Sequence, residues 1–172
     1  MEPFNLPFLL LTLILLKIWI DLMRNEAVFF PLPKNTIRKL LKAVDLKKKE
    51  RLIDLGSGDG RVLIIAAEEF SATAIGIEKN PLLYLISRFN IKRKGLDGLI
   101  KVIYGNFFNY TIKDADVVFL YLSKKINKKL EPKLVKELKK GTRIVSAAHQ
   151  LPSLEYVKKI KTGHFFSYIY VL

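Results

Sequence analysis

The sequence contains no cysteine and only two histidines, His149 and His164. Without cysteine the chain has no disulfide, no thiolate metal ligand and no cysteine nucleophile. Two isolated histidines also argue against a metal site built on imidazole ligands, so no bound metal is expected. Disulfide scaffolds and cysteine-dependent enzymes are therefore excluded from the outset.

Acidic residues are also scarce relative to basic ones. The chain has 16 Asp and Glu against 30 Lys and Arg, which gives a formal net charge of +14. This charge favours anionic partners, such as nucleic acid, a membrane surface or an acidic protein, but does not determine the fold. At 172 residues, with no internal repeat and no linker rich in Pro, Ser or Gly, the chain is expected to form one domain with a short appendage.

A cluster of glycines follows a short apolar strand in the stretch Arg51–Arg61, and an apolar helix is predicted directly after it at Val62–Phe70. This strand–turn–helix order is the context of a nucleotide-type binding loop. In such a loop Gly56 permits the tight turn and Gly58 lets a ligand approach the backbone closely. Two common versions are missing. There is no Gly-Lys-Ser/Thr for a phosphate-binding loop, and Arg61 stands where a dinucleotide fingerprint has its third glycine.

Two carboxylates indicate which ligand this loop binds. Asp54, at the carboxyl end of the first strand, would repel a pyrophosphate but suits a ligand that carries an ammonium and a sulfonium group. Glu78 ends the next predicted strand, Ala72–Glu78, where an acidic residue is expected to bind ribose hydroxyls. S-adenosylmethionine carries all of these groups. A glycine-rich turn alone is also found in ordinary strand–turn–helix units, so the cofactor prediction depends on the loop, Asp54 and Glu78 together.

The rest of the sequence alternates between strands and helices. Further strands are predicted at Leu99–Tyr104, Ala115–Leu122 and Thr142–Ala148, with a terminal hairpin formed by Leu154–Lys161 and Phe165–Leu172. This order predicts an α/β fold, a doubly wound and mostly parallel sheet with an antiparallel end.

Two of the predicted helices have clear start signals. In the first, Asn80 is the cap and Pro81 lies in the first turn. Its buried stripe is predicted to consist of the apolar residues at helical spacing, Leu82, Leu85, Ile86 and Phe89. In the second, Ser123 is the cap, Pro132 predicts a break and Gly141 predicts the end.

The N-terminal segment Phe4–Ile20 is almost wholly apolar, with Lys17 its one charged residue. It lacks the basic start and the cleavage site of a signal peptide. As a helix its 17 residues would reach roughly 26 Å, near the lower limit for crossing a bilayer. We predict a membrane anchor within residues 1–26, with the following domain, residues 27–172, on the cytoplasmic side because the positive charges follow the segment. A helix packed on the domain or lying in an interface is the alternative, and the location is then cytoplasmic.

Several strings together resemble the class I (seven-stranded) S-adenosylmethionine-dependent methyltransferases, a Rossmann-like fold. Within that class the chain is similar to the small protein-lysine methyltransferases, which include the mitochondrial enzymes acting on subunit c of ATP synthase and on the adenine nucleotide translocase, and archaeal relatives. The resembling stretches are Pro31–Pro33, Asp54–Val62, Gly76–Pro81, Leu120–Leu122 and Leu130–Val145. The resemblance runs from about Phe29 to the C-terminus, and a hydrophobic segment before the domain also occurs in that family.

The resemblance and the order of the strands assign candidate residues to each part of the site. The tyrosine at the end of the fourth strand, Tyr121, is expected to orient the incoming lysine amine. Aromatic walls favour the neutral amine by desolvating it, and candidates are Phe29, Phe30, Phe107, Phe108 and Tyr121, although for Phe108 plain packing is preferred. On the substrate side we expect Phe30 and Pro31. The expected cofactor-binding residues are Asp54, Gly56, Ser57, Gly58, Glu78, Asn106 and Phe107.

Two other functions are compatible with parts of the sequence. The positive charge would suit a nucleic-acid methyltransferase acting on an RNA ribose or a base, but an enzyme that methylates base amines is expected to carry Asn/Asp-Pro-Pro-Tyr/Phe where this chain has Leu120-Tyr121-Leu122-Ser123. A non-catalytic, basic, membrane-associated binding module is the other. The intact glycine loop and Glu78 argue against it.

Overall fold

The computed structural model describes residues 6–23 and 30–172, which belong to two compact units, one ending at Phe30 and the other extending from Pro31 to Leu172. The first unit contains helix α1, Leu6–Met23, whose apolar side chains from Leu6 to Leu16 are exposed. Among the described residues no helix is long and apolar enough to cross a membrane. The predicted transmembrane helix is therefore not supported: the 18 residues of α1 reach only about 27 Å at ~1.5 Å each, and they include Lys17 and Asp21.

The second unit contains a seven-stranded sheet in the order β3-β2-β1-β4-β5-β7-β6. The strands are β1 Arg51–Leu55, β2 Thr73–Glu78, β3 Ile100–Tyr104, β4 Val117–Leu120, β5 Arg143–Ala147, β6 Lys158–Thr162 and β7 Phe165–Val171. Strands β1 to β5 are parallel, whereas β7 is antiparallel to both β5 and β6. The prediction of a doubly wound, mostly parallel sheet with an antiparallel end is confirmed.

Helices cover both faces of this sheet. They are α2 Lys34–Ala43, α3 Arg61–Phe70, α4 Pro81–Arg93 and α5 Lys124–Glu137, with a short 3-10 helix at Phe107–Asn109. The central strand β4 is buried along its whole length, and its side chains alternate between two separate cores. Val117 and Phe119 face the core with α2 and α3, while Val118 and Leu120 face the core with α5. An uninterrupted apolar run is what such a two-sided strand requires.

The structure corrects the prediction for helix α4. Asn80 does cap it, because the Asn80 Oδ1 atom accepts from the backbone N–H groups of Leu82 and Leu83 at 3.0 and 3.2 Å. The predicted buried stripe is wrong, however, because those four side chains are exposed: Leu82, Leu85, Ile86 and Phe89. Helix α4 instead buries Ser87 and Ile91. Ser87 is small enough for the glycine loop to approach it, since a Cβ on Gly60 would lie 3.0 Å from its Cβ.

Helix α5 also differs from its prediction. It runs without a break from Lys124 through Pro132 and ends at Glu137, before Gly141. Proline removes the N–H that would bond to the carbonyl four residues earlier, which is that of Lys128. Because Lys128 and Pro132 are both exposed, water can solvate that carbonyl and the helix tolerates the proline.

Gly76 of β2 provides a test of how tightly the glycine loop packs on the sheet. A Cβ at this position would lie 2.5 Å from Leu63 Cδ1 and 2.6 Å from Ser57 Oγ. We expect Gly76→Ala to lower the free energy of unfolding by about 1–3 kcal/mol, because the loop or α3 must shift to avoid overpacking. Gly98→Ala is the matched control, since a Cβ there meets nothing within 4 Å, and it should stay within about 0.5 kcal/mol. Equal stability of both variants in urea titrations would show that the loop is not tightly packed.

Candidate active site

The glycine loop lies at the carboxyl edge of the sheet, where β1 neighbours both β2 and β4. The chain passes from β1 to β2 and β3 on one side and then crosses to β4 on the other side of β1, and α/β sheets bind ligands at such a switch point. Gly56, Gly58 and Gly60 have φ angles of +89°, +56° and +82°. Side chains other than glycine rarely adopt these angles, so the turn depends on all three residues. The amide N–H groups of Gly56 and Ser57 donate to the carbonyl of Ile77 at 2.9 and 3.2 Å, which holds the loop against β2.

Glu78 joins three segments of this edge, two through its carboxylate and one through its backbone carbonyl. Its Oε2 atom accepts from the Gly58 N–H at 2.8 Å and its Oε1 atom accepts from the Asn80 N–H at 2.8 Å. The residue is buried, and its backbone carbonyl accepts from the Gly105 N–H at 2.9 Å. Sequence reasoning gave Glu78 only a ribose-binding role and missed this structural one. Each carboxylate oxygen has more than one lone pair, so Glu78 retains acceptor capacity for ribose hydroxyls.

Asp54 is buried at the same edge, with 3% of its surface exposed. Burial raises the pKa of its carboxyl group well above the usual value, and the negative charges of Glu78 and Asp59 raise the pKa further. The nearby guanidinium of Arg61 is engaged elsewhere: it bonds to both Asp59 carboxylate oxygens and to the Leu32 carbonyl. The site therefore concentrates negative charge. Two buried carboxylates beside a glycine loop fit a cationic ligand such as S-adenosylmethionine. The roles of Asp54 toward its positive groups and of Glu78 toward its ribose stay predictions.

The other cofactor candidates lie beside these carboxylates in different settings. The Ser57 side chain is buried against Gly76, and its Oγ has no hydrogen-bond partner in the described part of the chain. Asn106 follows β3 and accepts from the Phe108 N–H through Oδ1 at 3.1 Å, which leaves its Nδ2 group for a ligand. Phe107 is half-buried, and the centroids of its ring and of the Phe108 ring are 4.8 Å apart. These positions are compatible with an amide and a ring beside an adenine, and the roles stay predictions.

Tyr121 directly follows β4, on the other side of the switch point from β2. Its half-buried ring stacks on Phe165 of β7, with centroids 6.2 Å apart and planes 22° from parallel. Phe30 and Pro31 are both exposed, and Phe30 belongs to the first unit. Next to Pro31, the buried Leu32 accepts from Arg61 Nη1 at 3.1 Å, so the entry segment of the second unit is fixed beside the start of α3. Phe29 lies outside the described residues.

Sequence reasoning missed a buried polar network between α5 and the loop after β5. Asn127 of α5 is fully buried and donates through Nδ2 to Ser146 Oγ at 3.0 Å and to the His149 carbonyl at 3.2 Å. One helical turn later, the Glu131 carboxylate accepts from the Ser153 N–H at 3.0 and 3.1 Å. Together they hold the loop after β5. The available signal was two polar residues at i and i+4 on the same stripe as Leu130 and Leu134.

No three side chains of His, Cys, Asp or Glu come together as a metal site within residues 6–23 and 30–172. The candidate site at the sheet edge is the organic-cofactor site described above.

The comparisons with known proteins agree with this geometry. A family model described as the ANTKMT methyltransferase domain matches residues 54–158. A protein-lysine N-methyltransferase of Saccharolobus islandicus is 34% identical over 146 residues, which cover 83% of this chain and 91% of the relative. The adenine nucleotide translocase lysine N-methyltransferase of Mus musculus is 31% identical over 113 residues, 66% of this chain, and this chain spans about half of that enzyme, 49%.

A solved structure shares the whole architecture. The crystal structure of an RNA methyltransferase from Salinibacter ruber in complex with S-adenosylhomocysteine superimposes with a TM-score of 0.81 at 34% identity, covering 83% of this chain and 93% of that one. A Pyrococcus furiosus methyltransferase at 17% identity, with a TM-score of 0.65, shows the same fold.

The fold and the anionic glycine-loop site thus define a Rossmann-like, S-adenosylmethionine-dependent methyltransferase, as predicted. Within that class the chain belongs to the ANTKMT methyltransferase-domain family. The predicted resemblance to the small protein-lysine methyltransferases is confirmed.

Substitution of Glu78 tests its two roles. Glu78→Ala should weaken S-adenosylmethionine binding by about 1–3 kcal/mol, through loss of charged hydrogen bonds to the ribose and of support for the loop. Glu78→Gln should be nearly as damaging, because its amide NH₂ must face either the Gly58 or the Asn80 N–H. Glu155→Gln removes the same charge from an exposed site and serves as control. If calorimetry showed that Glu78→Gln keeps full affinity for the cofactor, Glu78 would not be needed to hold the Gly58 and Asn80 N–H groups in place.

The raised pKa of Asp54 predicts a pH dependence. The folded, ligand-free protein binds this proton more tightly than the unfolded chain, so Asp54 destabilises the fold progressively as pH rises from its usual pKa, 3.8, through the raised one. A cationic ligand favours the ionised form, so below the raised pKa binding should release a proton and tighten with pH.

Asp54→Asn should abolish that proton release and weaken S-adenosylmethionine binding by about 2–5 kcal/mol at neutral pH. At pH values above the raised pKa of Asp54, the same change should raise the melting temperature of the ligand-free protein, because an uncompensated buried charge is removed. Calorimetry in buffers of different ionisation enthalpy measures the proton release. Unchanged release in the variant would assign the proton to another group.

Proposed function

We propose that this chain is a protein-lysine N-methyltransferase, with residues 27–172 as the methyltransferase domain. The observation that carries the proposal is the pair of buried carboxylates, Asp54 and Glu78, beside the glycine loop of a chain that belongs to this family. The name of the Saccharolobus relative, which this chain covers almost completely, supports lysine as the acceptor. S-adenosylmethionine, when bound, supplies a methyl group on a positively charged sulfur.

The chain's own residues have three tasks in this reaction. Asp54, Glu78 and the glycine loop would hold the methyl donor, and Asn106 and Phe107 would contact its adenine. The lysine amine must reach the site neutral and in line with the transferred methyl group. We propose that the rings of Phe107 and Tyr121, with Pro31, exclude water from this amine and so lower its pKa, and that the Tyr121 hydroxyl orients it. Tyr121 suits this task because it follows β4 at the switch point and its ring is fixed on Phe165.

RNA is the second candidate substrate. It is supported by the net charge of +14 and by the likeness to the Salinibacter structure, which is described as an RNA methyltransferase. Against it, the chain lacks the Asn/Asp-Pro-Pro-Tyr/Phe string after β4. Lysine is favoured because the sequence relatives named for an acceptor are chiefly lysine methyltransferases.

Methyl transfer into an extract of the source cell distinguishes the two substrates. Label from radioactive S-adenosylmethionine should be released by protease and resist nuclease, and mass spectrometry should place added methyl groups on lysine. Label released only by nuclease would establish RNA as the substrate. No transfer, together with no cofactor binding, would leave the non-catalytic binding module.

Tyr121→Phe tests the orienting hydroxyl. We expect unchanged cofactor affinity and a rate lowered by at least about tenfold, because the amine loses its alignment. Tyr156→Phe is the control, since that ring contacts Tyr168 and Tyr170 rather than the switch point. Single-turnover kinetics measure the effect. Wild-type rates in Tyr121→Phe would leave Tyr121 a packing residue.

We also propose that the N-terminal segment, residues 4–20, associates the enzyme with a membrane, with the catalytic domain on the cytoplasmic side. The support is that α1 exposes apolar side chains such as Phe8, Leu10 and Ile14. Exposed apolar side chains of this kind are stabilised when they leave water for lipid. A fluorescent label at Leu10 that enters lipid when vesicles are added would establish this association, and a label that stays in water would refute it.

A further inference from the structure

Helix α4 exposes a continuous apolar stripe. Leu82, Leu85, Ile86 and Phe89 are 65%, 59%, 38% and 66% exposed, and their i, i+3, i+4, i+7 spacing places them along one side of the helix. The buried residues Ser87 and Ile91 lie on the opposite side, at about 100° of rotation per residue. The stripe is therefore not needed for packing within the second unit. A contiguous apolar surface of this kind marks an interaction site more often than isolated exposed residues do.

Positive charge borders the stripe. The sequence from Pro81 to Lys94 contains no acidic residue and four basic ones, Arg88, Lys92, Arg93 and Lys94. Lys94 pairs with Glu68 at 2.6 Å. In the ranges that the structure describes, Arg88, Lys92 and Arg93 form no ion pair with a carboxylate. Arg88 and Arg93 instead lie 5.7 and 5.9 Å from the ring centroids of Tyr84 and Phe89. Their charges remain available to an external anion.

We propose that this face of α4 docks on an anionic lipid bilayer, with the four apolar side chains entering the interface and Arg88, Lys92 and Arg93 contacting headgroups. An apolar stripe edged by basic residues is the pattern of helices that lie in a membrane interface. The proposal deepens, and rests on, the membrane association proposed for the enzyme. It adds a second contact that lies in the catalytic unit itself.

Charge separates a bilayer from the other occupants of the stripe. Two copies of α4 packed face to face would bring the same unpaired cations together, in a protein whose net charge is already +14. A nucleic acid would neutralise the cations but leave three aliphatic side chains, Leu82, Leu85 and Ile86, in water. An anionic bilayer satisfies both features at once.

Docking through α4 also has a geometric consequence. The helix begins at Pro81, directly after the Asn80 cap whose N–H bonds to Glu78. The membrane contact therefore starts at the edge of the sheet that carries the cofactor site. This arrangement holds the site close to the bilayer surface.

Because the chain has no cysteine, single-cysteine variants carry one fluorescent label each. Leu85→Cys reports on the stripe, Leu10→Cys reports on α1, and Val135→Cys is the control, an apolar residue of α5 that is 54% exposed. Each full-length protein is mixed with phosphatidylcholine vesicles with or without phosphatidylglycerol. We expect the Leu85 label to shift to the blue and to be quenched by lipid-borne spin labels only with phosphatidylglycerol, while the Val135 label stays in water.

Three results would overturn the proposal. A Leu85 label that stays in water while the Leu10 label enters lipid assigns membrane binding to α1 alone, and leaves the proposed membrane association intact. A Leu85 label that is blue-shifted without vesicles, increasingly at higher protein concentration, assigns the stripe to a second copy. The same shift at all concentrations assigns it to the chain's own N-terminal segment.

A paired variant separates docking from catalysis. Leu85→Glu with Phe89→Glu should lower binding to anionic vesicles at least tenfold and raise the KM for a substrate in those vesicles. The kcat for a soluble lysine peptide should stay unchanged, because neither residue belongs to the catalytic site. Val135→Glu, with the same kind of added charge elsewhere, should change neither quantity. If the paired variant bound vesicles as well as Val135→Glu does, α4 docking would be contradicted. The proposed function would instead be contradicted if the wild type did not methylate lysine.

Discussion

The arrangement of the site depends on one carboxylate that serves several backbone groups. Glu78 bonds to the N–H groups of Gly58 and Asn80, which connects the glycine loop after β1 to the start of α4. Its carbonyl bonds to Gly105, which adds the end of β3. A buried charge is costly unless hydrogen bonds satisfy it, and here the loop supplies those bonds. The residue that is predicted to bind the cofactor therefore also holds the segments of the site together.

Asp54 has the opposite relation to its surroundings. It is as buried as Glu78, yet its neighbours Glu78 and Asp59 are negative, and the guanidinium of Arg61 is bonded to Asp59. The folded protein thus retains an electrostatic strain that a cationic ligand relieves. A buried, negatively charged setting of this kind favours a positively charged ligand at this edge of the sheet.

Sequence reasoning succeeded where the signal was local and failed where it was tertiary. The Asn80–Pro81 start of α4 and the glycine loop follow from nearest neighbours, and both were predicted. The α4 stripe was misassigned because periodicity identifies an apolar side but not which side faces the sheet, a choice determined by the contact of Ser87 with Gly60. The role of Glu78 in holding the glycine loop depends on groups that strand pairing brings together, so no residue spacing in the sequence predicts it.

The two halves of the sheet edge also differ in how visible they are to sequence comparison. The cofactor half is organised by side chains, Asp54 and Glu78, whose identity is recognisable. In the other half, beside β4 and β5, Asn127 and Glu131 hold the loop after β5 through the carbonyl of His149 and the N–H of Ser153. Backbone groups are the same in every residue except proline, so this loop can keep its position while its side chains change. A single scaffold can thereby present different acceptor surfaces to one chemistry, which is why family membership identifies the reaction more readily than the substrate protein.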